Sequence, residues 1–132
     1  MLDKKNNNLT PKPIGPYRSI VVHNDLIFTS GQIPIDPNTG KLINGNFKNR
    51  VERVLMNLKN LLIFSNSSLN NILKVTVFLT DLSRFNELND VFIKTFSINP
   101  PARSVVQVSK LPMNSDIEVE CIASINKWKY YL

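Results

Sequence analysis

The sequence predicts an α+β fold: a single sheet of five or six strands with two helices on one face. Three observations predict it. Two stretches, near 46–64 and 83–97, carry apolar residues at helical spacing. Short runs rich in β-branched and aromatic residues flank both stretches. Clusters of Pro, Gly, Asn and Ser separate all of these, with no linker and no internal repeat, so the 132 residues read as one domain.

Residues 1–13 are polar and asparagine-rich and read as a flexible arm, with the domain at 14–132. Pro11, Pro13, Gly15 and Pro16 keep the chain extended where the domain begins. Residues 18–22 and 26–29 favour strand, and His23-Asn24-Asp25 between them is a turn signal, so a hairpin is expected with His23 as a turn residue. Ser30-Gly31-Gln32 ends the pair, and Gly31 permits a bulge or a close backbone approach. An optional third strand follows, then a strong turn at Asp36-Pro37-Asn38-Thr39-Gly40.

The first helix is expected at about 46–64, with Val51, Val54, Leu55, Leu58, Leu61 and Leu62 as its apolar stripe. Lys48, Arg50, Glu52, Lys59 and Asn60 fall largely away from that stripe. Asn49 and Glu52 have capping-box spacing, which offers a later start. Residues 65–68 are a loop, and 72–79 a buried strand. The second helix, about 83–97, has Phe85, Leu88, Phe92 and Phe96 as its stripe, with Val91 beside it, and Asn99-Pro100-Pro101 stops it. Residues 102–108 form a strand, 111–115 a loop and 117–125 the last strand. There Ile117, Val119, Cys121, Ala123 and Ile125 share one face, while Glu118, Glu120, Ile122 and Ser124 share the other. Apolar residues on that second face make oligomerisation the economical way to cover it.

Composition narrows the function. One cysteine permits no intrachain disulfide, and with one histidine it cannot supply a zinc site of the usual ligands. A Cys–His nucleophilic pair lacks any supporting signature. The net charge of +6 is compatible with nucleic acid or anionic substrates, but the basic residues are scattered. Their short clusters, Lys4-Lys5 and Lys127-Trp128-Lys129, are terminal and read as solvated surface. The N-terminus lacks the apolar stretch of a signal peptide and no run is long enough to span a membrane, so a cytoplasmic protein is expected, with an organellar location left open.

Locally, the residues that could carry chemistry stay open. Arg103 follows Pro100-Pro101-Ala102 and suits either a surface ion pair or a bidentate carboxylate fork. Glu118 and Glu120 share a strand face, and alternation cannot choose between them for acid–base work. Tyr17 suits a core ring with its hydroxyl at the edge, and Ser30-Gly31 suits backbone N–H groups offered to an anion.

Taken together, Ile14-Gly15-Pro16-Tyr17, Ser30-Gly31-Gln32-Ile33-Pro34, the run from Val75 to Leu82, Pro101-Ala102-Arg103-Ser104 and Ile117-Glu118-Val119-Glu120 occur in the order and spacing of the RidA/YjgF family. The chain resembles that family from about residue 11 to 126. The resemblance implies a chorismate-mutase-like fold, a homotrimer with clefts between subunits, and hydrolysis of 2-iminopropanoate and 2-iminobutanoate to 2-keto acids and ammonia. It implies no cofactor and no metal. Arg103 then matches the carboxylate-binding arginine, Glu118 the glutamate that activates water, and Tyr17, Ser30, Gly31 and Asn89 pocket-lining positions. Val105 stands where family members often carry a cysteine, two residues after the arginine, which puts substrate preference in question. Partners implied are a small imino acid or another 2-keto-acid-like carboxylate and copies of the chain, with no membrane. Two competing readings are an RNA-cleaving translation inhibitor and a ligand-binding trimer without turnover. The chain has no RNP-type aromatic motif and no basic stripe to favour the first.

Overall fold

The structure, a computed structural model, describes residues 10–126. Most of the arm expected at 1–13 and both terminal lysine clusters lie outside the described residues. The elements run β1 (Ile20–His23), β2 (Leu26–Thr29), α1 (Phe47–Phe64), β3 (Ile72–Leu79), α2 (Phe85–Thr95), β4 (Ala102–Gln107) and β5 (Ile117–Ser124). They build one five-stranded sheet in the order β1-β2-β5-β3-β4. Its β3–β4 pair is parallel, with α2 as the crossover, and the other pairs are antiparallel.

The expected architecture stands, with five strands. The optional third strand is not one: residues 32–35 make only isolated bridges, Gln32 to Val119 and Ile35 to Leu42. Pro34 has no N–H for a ladder, and the carbonyls of Ile33 and Ile35 bond the Asn57 side chain instead. His23 closes β1 rather than sitting in the turn, where Asn24 takes the left-handed conformation at φ 54°.

Helix α1 begins at its first cap. The Asn46 side chain accepts a hydrogen bond from Asn49 N–H at 2.9 Å, so the later start is not used. All six stripe residues are buried. Arg50, expected on the solvent side, turns back. Its Nη2 lies 2.5 Å from Asp116 Oδ2, its Nε donates to both carboxylate oxygens at 3.0 Å, and its Nη1 donates to the Gly45 carbonyl. The pair ties the start of α1 to the start of β5.

Helix α2 is shorter than its apolar pattern. A 3-10 turn, Leu82–Arg84, precedes it, capped by Asp81, whose carboxylate accepts from Ser83 N–H at 3.0 Å. Those Ser83 bonds hold the Asp81 carboxyl below its ordinary pKa. Leu88, Val91, Phe92 and Phe96 are buried as expected, but Phe85 stays 39% exposed.

Both helices pack on one sheet face, where Ile27, Val75, Val77, Leu79, Ile117, Val119, Cys121 and Ala123 form the strand side of the core. Fully burying an aliphatic side chain of this size contributes about 1.5–3 kcal/mol. The opposite face has no covering layer among the described residues, and it leaves Val21, Phe28 and Val106 exposed.

Candidate functional site

Strand register decides where the candidate residues point. Directly paired strand residues share a face. Arg103 on β4 pairs with Val75, which pairs with Cys121, so Arg103 lies on the helix face. Glu118 on β5 pairs with Phe78, which pairs with Val106, so Glu118 lies on the open face. Within one chain the two residues stand on opposite sides of the sheet.

Arg103 is held by α2. Its Nη2 donates to Asn89 Oδ1 at 2.8 Å, and its guanidinium carbon lies 5.3 Å from the Phe85 ring centroid and 5.0 Å from that of Phe92. This explains why Phe85 leaves the core, and it gives Asn89 a partner. The cation is half-buried, and desolvation lowers its pKa with no carboxylate to offset that. Among the described residues no ion pair forms on Arg103. The surface ion-pair reading therefore finds no counter-ion among the described residues. Beside the guanidinium lies an open hollow of about 410 Å³, walled by Phe92, Ile93, Phe96, Pro100 and Pro101. Asn89 holds one Nη nitrogen, and the rest of the fork remains for an anion.

Glu118 lines a second, narrow cleft of about 40 Å³, with Tyr17, Gly31, Gln32, Ile33 and Pro112. That volume suits one or two waters. Burial raises the Glu118 pKa, and the nearby charge of Glu120 raises it further. Gly31 makes room for this placement: a methyl group at its position would come within 2.7 Å of Glu118 Cδ, so any larger residue would push the carboxylate aside. A half-buried carboxyl poised to take a proton beside a water-sized space is the arrangement a general base needs.

The other expected residues divide. Tyr17 is 46% exposed, so it is not a core ring; its hydroxyl accepts from Ile14 N–H at 3.3 Å and its ring borders the Glu118 cleft. Ser30 does not offer its N–H to an anion, because that group donates to the Ser19 carbonyl at 2.9 Å, and its hydroxyl donates to the Arg18 carbonyl at 2.6 Å. Val105 faces the helix side with Arg103 and packs on the core. Cys121 lies on that side too, opposite to Glu118, and burial pushes its thiol up to about 11. Sequence reasoning missed Phe85 and Phe92 as the cradle of Arg103, because their spacing reads as core. It also missed Asn57 and Gln32, polar residues that are fully or nearly buried. Asn57 sits between Leu55 and Leu58 on the apolar stripe, which was the available signal. Among the described residues no group of three or more His, Cys, Asp or Glu gathers as a metal site, and no helix is long and apolar enough to cross a membrane.

Known proteins resemble the chain along most of its length. The family model described as Endoribonuclease L-PSP matches residues 7–125. A RutC family protein of Pyrococcus abyssi is 46% identical over 113 residues, spanning 86% of this chain and 89% of that protein. A chloroplastic protein of Arabidopsis thaliana named Reactive Intermediate Deaminase A is 37% identical over 115 residues, 87% of this chain and 62% of that longer protein. The crystal structure of E. coli TdcF with bound serine matches with a TM-score of 0.84 at 36% identity, covering 90% of this chain and 95% of that chain. The motifs that resemble one family, the fold they build and matches along most of the chain agree: this protein belongs to the Endoribonuclease L-PSP family, that of RidA and YjgF.

Proposed function

We propose that this protein hydrolyses small reactive 2-imino acids, 2-iminopropanoate and 2-iminobutanoate among them, in clefts that copies of the chain complete between them. The observation that carries the reading is Arg103: a half-buried guanidinium with no counter-ion among the described residues, braced by Asn89 and two rings beside an open hollow. Such a group is suited to a carboxylate. The relative named Reactive Intermediate Deaminase A supports the activity, and the serine in TdcF is a carboxylate-bearing small molecule.

The chemistry follows from the two half-sites. Arg103 of one copy holds the substrate carboxylate. Glu118 of another copy accepts a proton as water adds to the imine carbon. The carbinolamine then collapses: Glu118 returns the proton to nitrogen, the C–N bond breaks as the hydroxyl oxygen forms the keto C=O, the hydroxyl proton passes to the freed Glu118 carboxylate and on to water, and ammonia and the 2-keto acid leave. A protonated imine is already electrophilic, so a positioned base and a carboxylate anchor suffice.

A homotrimer with three equivalent clefts supplies the meeting of the half-sites, and the exposed Val21, Phe28 and Val106 supply an apolar face for contact. Tyr17 and Gly31 line the Glu118 side, Asn89 the Arg103 side. The test is a coupled assay in which a serine or threonine dehydratase generates the imine and semicarbazide traps what survives. Loss of the trapped product on adding the protein, with matching keto acid and ammonia, is the expected result. Unchanged trapping rejects the proposal.

The family description favours a second reading, RNA cleavage, for which the +6 charge provides general attraction. Salt-dependent RNA cleavage that survives Arg103→Ala would favour it.

A further inference from the structure

Asn57 on α1 is 0% exposed, and the proposed chemistry makes no direct use of it. A buried amide is destabilising unless its hydrogen-bonding groups are matched. This one is matched on both ends. Its Nδ2 donates to the Ile33 carbonyl at 3.2 Å and the Ile35 carbonyl at 3.0 Å, and its Oδ1 accepts from Arg53 Nε at 3.1 Å.

Both carbonyls belong to the irregular segment 32–35. The same segment is fixed from its other side by β5: Gln32 N–H donates to the Val119 carbonyl at 2.8 Å, and Val119 N–H donates to the Gln32 carbonyl at 2.9 Å. Val119 follows Glu118, and Gln32 follows Gly31, the residue pressed on the Glu118 carboxylate. Gly31, Gln32, Ile33 and Ile35 all line the Glu118 cleft. Backbone bonds also tie the segment at Pro34, whose carbonyl accepts from Ile43 N–H at 3.0 Å, and Asn57 adds the hold from α1 on the carbonyls to either side.

We propose that Asn57 is a positioning residue for Glu118: by holding the Ile33 and Ile35 carbonyls it fixes the Gly31 backbone against the carboxylate and keeps the cleft water-sized. This rests on the reading of Glu118 as the base. None of Asn57's partners lines the Arg103 hollow, so the clamp acts on the water step and not on carboxylate capture. Among the described residues, the other titratable groups near Glu118 are Glu120 on its own strand, and Lys12 and Tyr17, which line the cleft from the N-terminal segment.

The test is a carbon-13 NMR titration of the Glu118 side-chain carboxyl in Asn57→Leu, with kcat and KM for imine hydrolysis measured alongside. Leucine keeps the size and removes the donors. The wall then loosens, water enters, and the Glu118 midpoint should fall toward the ordinary glutamate value by about half a unit or more. A drop in kcat of roughly tenfold with KM within about twofold should accompany it. Arg53→Met, which leaves both Nδ2 bonds, should keep the midpoint where it is. If the leucine variant does not fold, Asn57→Ser, whose hydroxyl is one bond too short to reach the two carbonyls, should give a shift in the same direction. A folded Asn57 variant with an unmoved Glu118 midpoint overturns the proposal. The titration needs no turnover, so it judges the clamp even if the wild-type protein fails to hydrolyse imines, a result that would sink the deaminase reading alone.

Discussion

Replacing Arg103 removes the fork that the proposed site depends on. Charge-assisted hydrogen bonds contribute about 1.5–3 kcal/mol each, so a two-bond grip on a carboxylate is worth about 3–6 kcal/mol. Arg103→Ala should therefore lower kcat/KM by about 10²–10⁴-fold. Arg103→Lys keeps the charge but loses the fork and the flat ring contacts, so it should lose about 10–100-fold. The fold should survive both changes. Arg103 sits on an edge strand, half-exposed, and its contacts with Phe85 and Phe92 are worth about 0.5–1 kcal/mol each. The assay is semicarbazide trapping of dehydratase-generated imine, with circular dichroism and sedimentation as controls. An alanine variant within a few-fold of wild type would refute the reasoning, and so would a lysine variant equal to it.

The two strand carboxylates should separate. Glu118→Gln should slow hydrolysis by about 10²–10⁴-fold, while Glu120→Gln should be mild and should move the acid limb of the pH–rate profile lower, because the Glu120 charge helps to raise Glu118. A base must be ionised, so wild-type activity should fall as pH drops through the raised Glu118 pKa; the same shift makes this group's stability contribution full below the ordinary carboxylate pKa and lost as pH rises through the native one. Equal losses in the two variants would show that the wrong glutamate was chosen. With its thiol pushed up to about 11, Cys121 is about one part in a thousand thiolate at pH 8, so native iodoacetamide treatment should leave turnover intact. Alkylation that abolishes activity while the assembly persists would put a thiol in the mechanism. Phe28→Asp places a charge on the exposed apolar face and should yield folded, inactive monomers by ultracentrifugation; an intact active oligomer would place the interface elsewhere.

Local pattern carried most of the fold. The Val51 to Leu62 stripe and the alternation from Ile117 to Ala123 each appear in the structure with the faces that periodicity assigns. Cys121 lies opposite to Glu118 as alternation requires. Long-range register was not legible. Nothing near Arg103 says that it aligns with Val75, and a slip of one residue would have sent it to the other face. The separation of Arg103 from Glu118 is thus a tertiary fact. Residues 32–35 were ambiguous because Pro34 and the distant Asn57 decide their backbone bonds. The start of α2 gave way to a 3-10 turn capped by Asp81, and Phe85 looked like core until the cation beside it was visible.

The central claim is that one working site takes Arg103 and Glu118 from different copies. Mixing tests it most directly. Arg103→Ala and Glu118→Gln proteins, each inactive alone, are unfolded together in equal amounts, refolded, and confirmed as mixed assemblies by native mass spectrometry. A site is intact only when its arginine comes from a Glu118→Gln copy and its glutamate from an Arg103→Ala copy, so random assembly should restore about a quarter of wild-type imine hydrolysis. Mixed assemblies with no more activity than their parents would contradict a shared site.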